Sequence, residues 1–226
     1  MRVVVTGGTG GLGAAVVEAL LARGAEVHVP ILEAELPAHL AWRGDARVHA
    51  TTVRSLDDEA QVAALYAALP ELWASIHLVG GFAMAPIEQA TLASFEQQWR
   101  LNAVTCFLAT REAIRAMRRG GQGGRIVNVA ARPVVQPAKG MIAYTASKAA
   151  VVAITETAAA EALADGILVN AVLPSIIDTP VNRRAQPDAD FSAWPKPAEI
   201  AEAIAFLASP ANALTTGTRV PVYGRA

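Results

Sequence analysis

Short apolar runs rich in β-branched residues alternate along this chain with longer Ala- and Leu-rich stretches of helical period. The strand-like runs are Val3–Val5, Glu26–Val29, Arg47–Val53, Ile76–Val79, Arg125–Val129, Ile167–Val172 and Thr218–Tyr223. The helical stretches are Ala14–Arg23, Glu59–Leu69, Leu92–Arg118, Tyr144–Ala164 and Pro197–Ala208. Apolar strands that do not alternate with polar residues, each handed on to a helix-length segment, are those of a parallel sheet covered on both faces. The pattern predicts one α/β domain over residues 1–226, a doubly wound parallel sheet of about seven strands with helices on both faces. Gly24 falls where the first helix should be capped, and Gly120–Gly124 where the long middle helix should stop. The segment from Ser175 to Pro197 has Pro, Asp and Asn but little periodicity, so a substrate loop is expected at about 175–197.

Composition narrows the function classes. A net charge of −1 with 17% charged residues offers no broad basic surface for a nucleic acid. The hydrophobic fraction is 53%, yet no unbroken apolar run approaches the roughly 20 residues of a membrane span. Val3-Val4-Val5 passes straight into Thr6-Gly7-Gly8, which leaves no room for a signal peptide. Cys106 is the only cysteine and lies in an apolar stretch, as a buried small hydrophobe would. A soluble protein of the reducing cytoplasm is therefore expected. His28, His39, His49 and His77 show no ligand spacing, so no metal site is expected.

Thr6-Gly7-Gly8-Thr9-Gly10-Gly11-Leu12-Gly13 follows the first strand and opens the first helix. In that context glycines let a pyrophosphate approach backbone N–H groups and the positive helix end. Gly7, Thr9, Gly10, Gly11, Leu12 and Gly13 are thus candidates to hold a dinucleotide. Further on, Tyr144 and Lys148 stand four apart, on one face of a helix. An ammonium beside a phenol favours phenolate and suits the tyrosine to proton transfer with a carbonyl or alcohol oxygen. With three tyrosines and three lysines in the chain, chance would supply such a pair about 4% of the time, so the pair carries weight beside the glycine loop.

Glycine loop, Tyr144-x-x-Ser147-Lys148 and Pro174-Ser175-Ile176-Ile177-Asp178-Thr179, in this order and across the whole chain, resemble the short-chain dehydrogenase/reductase superfamily, a Rossmann-type fold. The resemblance implies an NAD(P)-dependent oxidoreductase in which Tyr144, Lys148 and Asn102 form the catalytic set. Lys148 would also bind the nicotinamide ribose, and Asn102 would hold a water in a proton relay. Gly80, Gly81, Pro174, Ile177 and Thr179 would line the cofactor. Two departures stand out: Leu78-Val79-Gly80-Gly81 replaces the usual Asn-Asn-Ala-Gly, and Ser175 follows Pro174 where glycine is usual.

A third departure concerns the chemistry. The superfamily's serine, thirteen residues before the tyrosine and three after the strand-end asparagine Asn128, is Ala131 here. Loss of one donor to a developing oxyanion typically slows a reaction by about 10²–10³. Gly80-Gly81-Phe82, Gly140-Met141-Ile142, the run from Ile177 to Arg184 and Ala189-Asp190-Phe191-Ser192-x-Trp194 resemble quinonoid dihydropteridine reductase, a family that also has alanine at this place. That resemblance implies a conjugated ring substrate, with Ala131, Phe82, Asn182 and Trp194 on the substrate side. A general carbonyl or alcohol reductase with water or Arg132 as substitute donor is the second enzyme reading, and a nucleotide-sensing protein without turnover is the third.

Cofactor choice rests on the end of the second strand, Val29-Pro30-Ile31-Leu32-Glu33. Ile31 lies where an acidic partner for the ribose 2′-hydroxyl is expected and Glu33 stands two residues beyond it, while no basic residue at Gly10 or the strand end is placed to receive a 2′-phosphate, which favours NAD(H) over NADP(H). Ser55 and Leu56 are placed to edge the adenine. Leu101–Leu108 and Val151–Ala164 resemble the helices that join such subunits, so a homodimer or homotetramer is expected.

Overall fold

The computed structural model describes residues 1–69 and 71–226. Seven strands form one parallel sheet in the order β3-β2-β1-β4-β5-β6-β7, where β1 is Arg2–Thr6, β2 Glu26–Ile31, β3 Val48–Thr52, β4 Ala74–His77, β5 Gly124–Val129, β6 Ile167–Pro174 and β7 Arg219–Val222. The order reverses between β1 and β4, which opens a crevice at their C-terminal ends, the place where doubly wound sheets bind ligands.

Both faces of the sheet are covered. Helices α1 (Gly11–Ala22) and α7 (Pro197–Ala208) pack on one face, burying Val16, Val17, Leu20, Ile200 and Ile204 against Val3, Val5, Val27 and Val29. On the other face α2 (Glu59–Ala67), α4 (Thr105–Gly120) and α5 (Ile142–Ala162) bury Leu65, Met117 and Ala159 against Val4, Ile126 and Val169. The central strands are buried on both sides because both sides meet helices, and the polar side chains they carry, Ser75, His77, Asn128 and Asn170, are hydrogen-bonded inside. Each buried apolar side chain contributes roughly 1.5–3 kcal/mol by leaving water.

Sequence signals set the boundaries. Asp58 caps α2 by accepting the N–H groups of Ala60 and Gln61 at 3.0 and 3.2 Å. Gly121 closes α4 in the left-handed region at φ 68°. Two elements differ from expectation. The long middle helix is not uniform: α3 (Leu92–Trp99) passes through a π-helical turn at Arg100–Val104 before α4. The loop after β6 contains a short helix, α6 (Pro180–Ala185), which begins at Thr179, whose hydroxyl accepts the Asn182 N–H at 3.3 Å. Among the described residues, no helix is long and apolar enough to cross a membrane.

Candidate active site

The glycine loop joins β1 to α1, and α1 starts at Gly11 with neither a side-chain cap nor an acidic residue in its first turn. Its first N–H groups are therefore left for an anion, as a pyrophosphate site requires. Gly13 is obligatory for packing: a methyl group there would collide with the Gly7 carbonyl oxygen. Thr179 faces this loop from across the crevice, its methyl 3.2 Å from where a side chain on Gly11 would begin.

A cavity of about 590 Å³ continues from the loop between the ends of β1 and β2, lined by Gly7, Thr9, Glu33, Ser55, Leu56 and Arg100 among others. This is room for the adenosine half of a dinucleotide, and it brings together the residues assigned to it from sequence. Glu33 lies in it with its carboxylate turned to accept the Leu32 N–H at 3.1 Å. Arg100, the one basic residue on the lining, is paired with Asp57 at 2.7 Å. Leu12 is partly buried against the α1–α7 core and holds the helix instead of facing the cavity.

Val79 ends the cavity lining, and the chain continues through Gly80 and Gly81 to the second half of the site. A Cβ on Gly80 would fall 2.6 Å from Asn102 Oδ1 and 3.2 Å from Lys148 Nζ, so only glycine lets these two side chains close on the loop. Asn102 lies in the π-helical turn and is 1% exposed. Its Oδ1 accepts the Gly81 N–H at 3.1 Å, while Nδ2 donates to Gly81 O at 3.0 Å, Gln98 O at 3.1 Å and Ser147 Oγ at 3.1 Å. Three acceptors share its two N–H groups, so the amide ties the Gly80–Gly81 loop to α5. A π turn at such a point is a common device at functional sites.

Lys148 is buried and donates to the Val129 carbonyl at 2.8 Å, which anchors it to the end of β5. Burial pulls its pKa down to about 8. Burial likewise pushes the Tyr144 phenol up to about 12. Lys148 Nζ is 5.9 Å from the centre of the Tyr144 ring, in reach of its face. Phe82 stands edge-on to it at 4.9 Å and is 55% exposed, forming one wall of an open approach.

Ala131 is buried just beyond β5, leading into a short 3₁₀ turn at Arg132–Val134. Arg132, the side chain suggested as substitute donor, is held in other contacts, as is Ser147 on α5. Ser147 Oγ donates to Tyr144 O at 2.8 Å. Arg132 donates to Gln136 at 2.7 Å and to the Ala226 carbonyl, and stacks 5.0 Å over Tyr223.

The loop residues assigned to the substrate side also make contacts within the loop. Asn182 Nδ2 donates to Ile177 O at 2.8 Å, Arg183 grips Asp178 at 2.5 and 2.8 Å, and Arg183 also lies 4.8 Å over Phe191. Phe191 packs at 5.0 Å on Trp194, which is 7% exposed. Pro174 ends β6, and Ser175 donates to Tyr223 O at 2.7 Å. Asn182 and Trp194 therefore brace the loop's own fold, while Thr179 is the loop residue that faces the cofactor crevice. Sequence reasoning missed Arg100 and Asp57 because their pairing spans the crevice between two elements.

Comparison with known proteins agrees with this geometry. The family model described as short chain dehydrogenase matches residues 1–190. "Short-chain dehydrogenase fogB" of Aspergillus ruber is 38% identical over 164 residues, 62% of this chain and 60% of that protein. "Cis-4-hydroxycyclohexanecarboxylate dehydrogenase" of Sinomonas cyclohexanicum is 33% identical over 98% of this chain and 94% of its own. Among solved structures, a levodione reductase superposes with a TM-score of 0.89 at 28% identity, covering 99% of this chain and 96% of that one.

Proposed function

This chain belongs to the short-chain dehydrogenase family and is an NAD(P)-dependent oxidoreductase, and from that premise we propose that it reduces a flat, conjugated ring of the quinonoid dihydropterin kind, with NAD(H) preferred to NADP(H). The observation that carries the proposal is Ala131 beside an otherwise complete set, Tyr144, Lys148 and the Asn102 clamp. A ring that is already electrophilic needs no second donor to polarise it, only a proton. Tyr144 supplies that proton as a neutral phenol, and the Lys148 ammonium near its face stabilises the charge left behind. The exposed Phe82 edge gives a flat substrate an apolar wall. When bound, the nicotinamide cofactor supplies the hydride. The residues present fit it: uncapped α1 N–H groups for the pyrophosphate, Thr179 across from them, Ser55 and Leu56 for the adenine and Glu33 for the ribose. NAD(H) is favoured because Glu33 lines the cavity and Arg100 is neutralised by Asp57.

A second reading has one observation in its favour. Two relatives that align along nearly the full chain are named for alicyclic substrates, a hydroxycyclohexanecarboxylate and levodione. A ring alcohol or ketone is then the substrate, turned over without the hydroxyl at position 131. The deciding measurement is steady-state cofactor oxidation by purified protein, with NADH and NADPH in turn, on quinonoid dihydropterin and on a panel of cyclic ketones and diones. Turnover of the pterin at least tenfold above every ketone is expected. Ketone reduction without pterin reduction gives the second reading. Subunit association through the α4 and α5 faces, where Phe107 is exposed, and a cytoplasmic setting belong to the same proposal.

A further inference from the structure

The sheet brings together three residues that their spacing along the chain does not connect. Side chains on a strand alternate, so Glu26 and His28 share a face of β2. The parallel register sets His28 directly beside His49 of the edge strand β3, and Arg2 of β1 beside Glu26. The result is a cluster of donor atoms, Glu26 Oε1, His28 Nε2 and His49 Nε2, all within 4.8 Å of one another. Glu26 Oε1 lies 3.5 Å from His28 Nε2 and 3.1 Å from His49 Nε2.

We propose that Glu26, His28 and His49 form a site for a borderline divalent cation of the zinc type. Four features support it. First, donors bound tetrahedrally at about 2.0–2.2 Å lie roughly 3.3 Å apart, and both carboxylate-to-imidazole spacings already match. Second, His28 Nε2 is buried and has no hydrogen-bond partner, although the side chain is 17% exposed. A buried imidazole nitrogen left without a partner is a cost that a ligand removes. Third, Arg2 donates to the other carboxylate oxygen, Oε2, at 3.2 Å, which fixes Glu26 and leaves Oε1 directed at the two rings. Fourth, the two ring centres lie 4.8 Å apart on adjacent strands, within reach of one ion, although their planes, 27° from parallel, must open for both lone pairs to converge. Only His49, at 45% exposed, must turn to close the set, and its open side leaves the fourth position to water.

The Arg2 charge opposes a cation, so micromolar affinity is expected in place of the tighter binding of an all-neutral shell. The cluster lies near the start of β2, roughly 10 Å along the strand from Ile31, where the cofactor cavity begins. A bound ion here ties the edge strand β3 to β2 and bears on the integrity of the sheet, not on hydride transfer.

The test uses tag-free, chelator-stripped full-length protein titrated with zinc chloride against a chromophoric chelator, with cobalt(II) chloride as a spectroscopic probe. One equivalent of zinc, binding in the micromolar range, is expected, together with a raised melting temperature and the visible absorption of tetrahedral cobalt. His28→Ala and His49→Ala should each weaken binding at least tenfold. Glu26→Gln, which keeps a partner for Arg2, should do so with the fold preserved, as circular dichroism would show. No zinc binding below about 100 μM, or binding unchanged in a folded Glu26→Gln or doubly His-substituted protein, would overturn the assignment.

Discussion

Replacing Gly80 by alanine tests the idea that a single close approach assembles the catalytic half of the site. The added methyl would lie 2.6 Å from Asn102 Oδ1 and 3.2 Å from Lys148 Nζ, and the first of these is too short to persist. Asn102 must then swing away, and it is 1% exposed, so the bonds to Gly81 cannot be replaced by water. Leaving one or two buried polar groups unpaired costs about 1–3 kcal/mol each, so a loss of roughly 2–4 kcal/mol is expected. Urea denaturation should show a lower midpoint with an unchanged slope. Cofactor oxidation should fall about 10- to 100-fold, because Lys148 is displaced with the clamp. In a double-mutant cycle, Asn102→Ala should remove most of the added penalty, since the atom struck by the methyl is then gone. A Gly80→Ala protein with unchanged stability and activity within twofold of the parent would refute the reasoning, as would strict additivity in the cycle.

Tyr144→Phe should reduce turnover by about 10²–10⁴ while leaving the melting temperature within a degree or two, because Tyr144 Oη makes no hydrogen bond to another described residue. Ala131→Ser should raise the rate on simple ketones at least tenfold and leave a conjugated ring substrate unchanged; equal effects on both would count against the account of the missing hydroxyl. Since burial lowers Lys148 to about 8, its ammonium is present below that pH and lost as pH rises through it. The kcat/KM for NAD(P)H, which reports the free enzyme, should therefore decline above pH 8, roughly tenfold per unit, and a flat profile to pH 9.5 would exclude the role given to the ammonium. Glu33→Ala should weaken NADH at least fivefold and NADPH little, read from KM for each cofactor.

The elements set by local pattern were legible in the sequence, and those set by long-range geometry were not. The valines of β1 and the glycines after it announce both strand and phosphate loop within a dozen residues. The π turn at Arg100–Val104 leaves no mark in the apolar period, since one extra residue per turn shifts a face without erasing it. Helix α6 could have been found: Thr179-Pro180 is a capping residue followed by proline at the first helical position. The Glu26, His28 and His49 cluster depends on which strands lie side by side, and the Arg100–Asp57 pair on how the π turn meets the loop before α2; no spacing within one segment encodes either.

The loop after β6 separates two kinds of evidence that the sequence presents together. Its run from Asp178 to Trp194 is long enough to resemble one particular reductase, yet the residues that make the match bind each other: Arg183 to Asp178, Asn182 to Ile177, Phe191 to Arg183 and Trp194. Such a motif would persist in any relative that folds its loop this way, whatever its substrate. Ala131 is different in kind. It stands where the superfamily's serine would be, and the loss of that hydroxyl would fall on the oxygen of whatever is reduced. The weight of the substrate proposal therefore belongs on that one position, and the Ala131→Ser protein measures it directly: a hydroxyl restored to a site that lacks nothing else should widen its range to unactivated ketones.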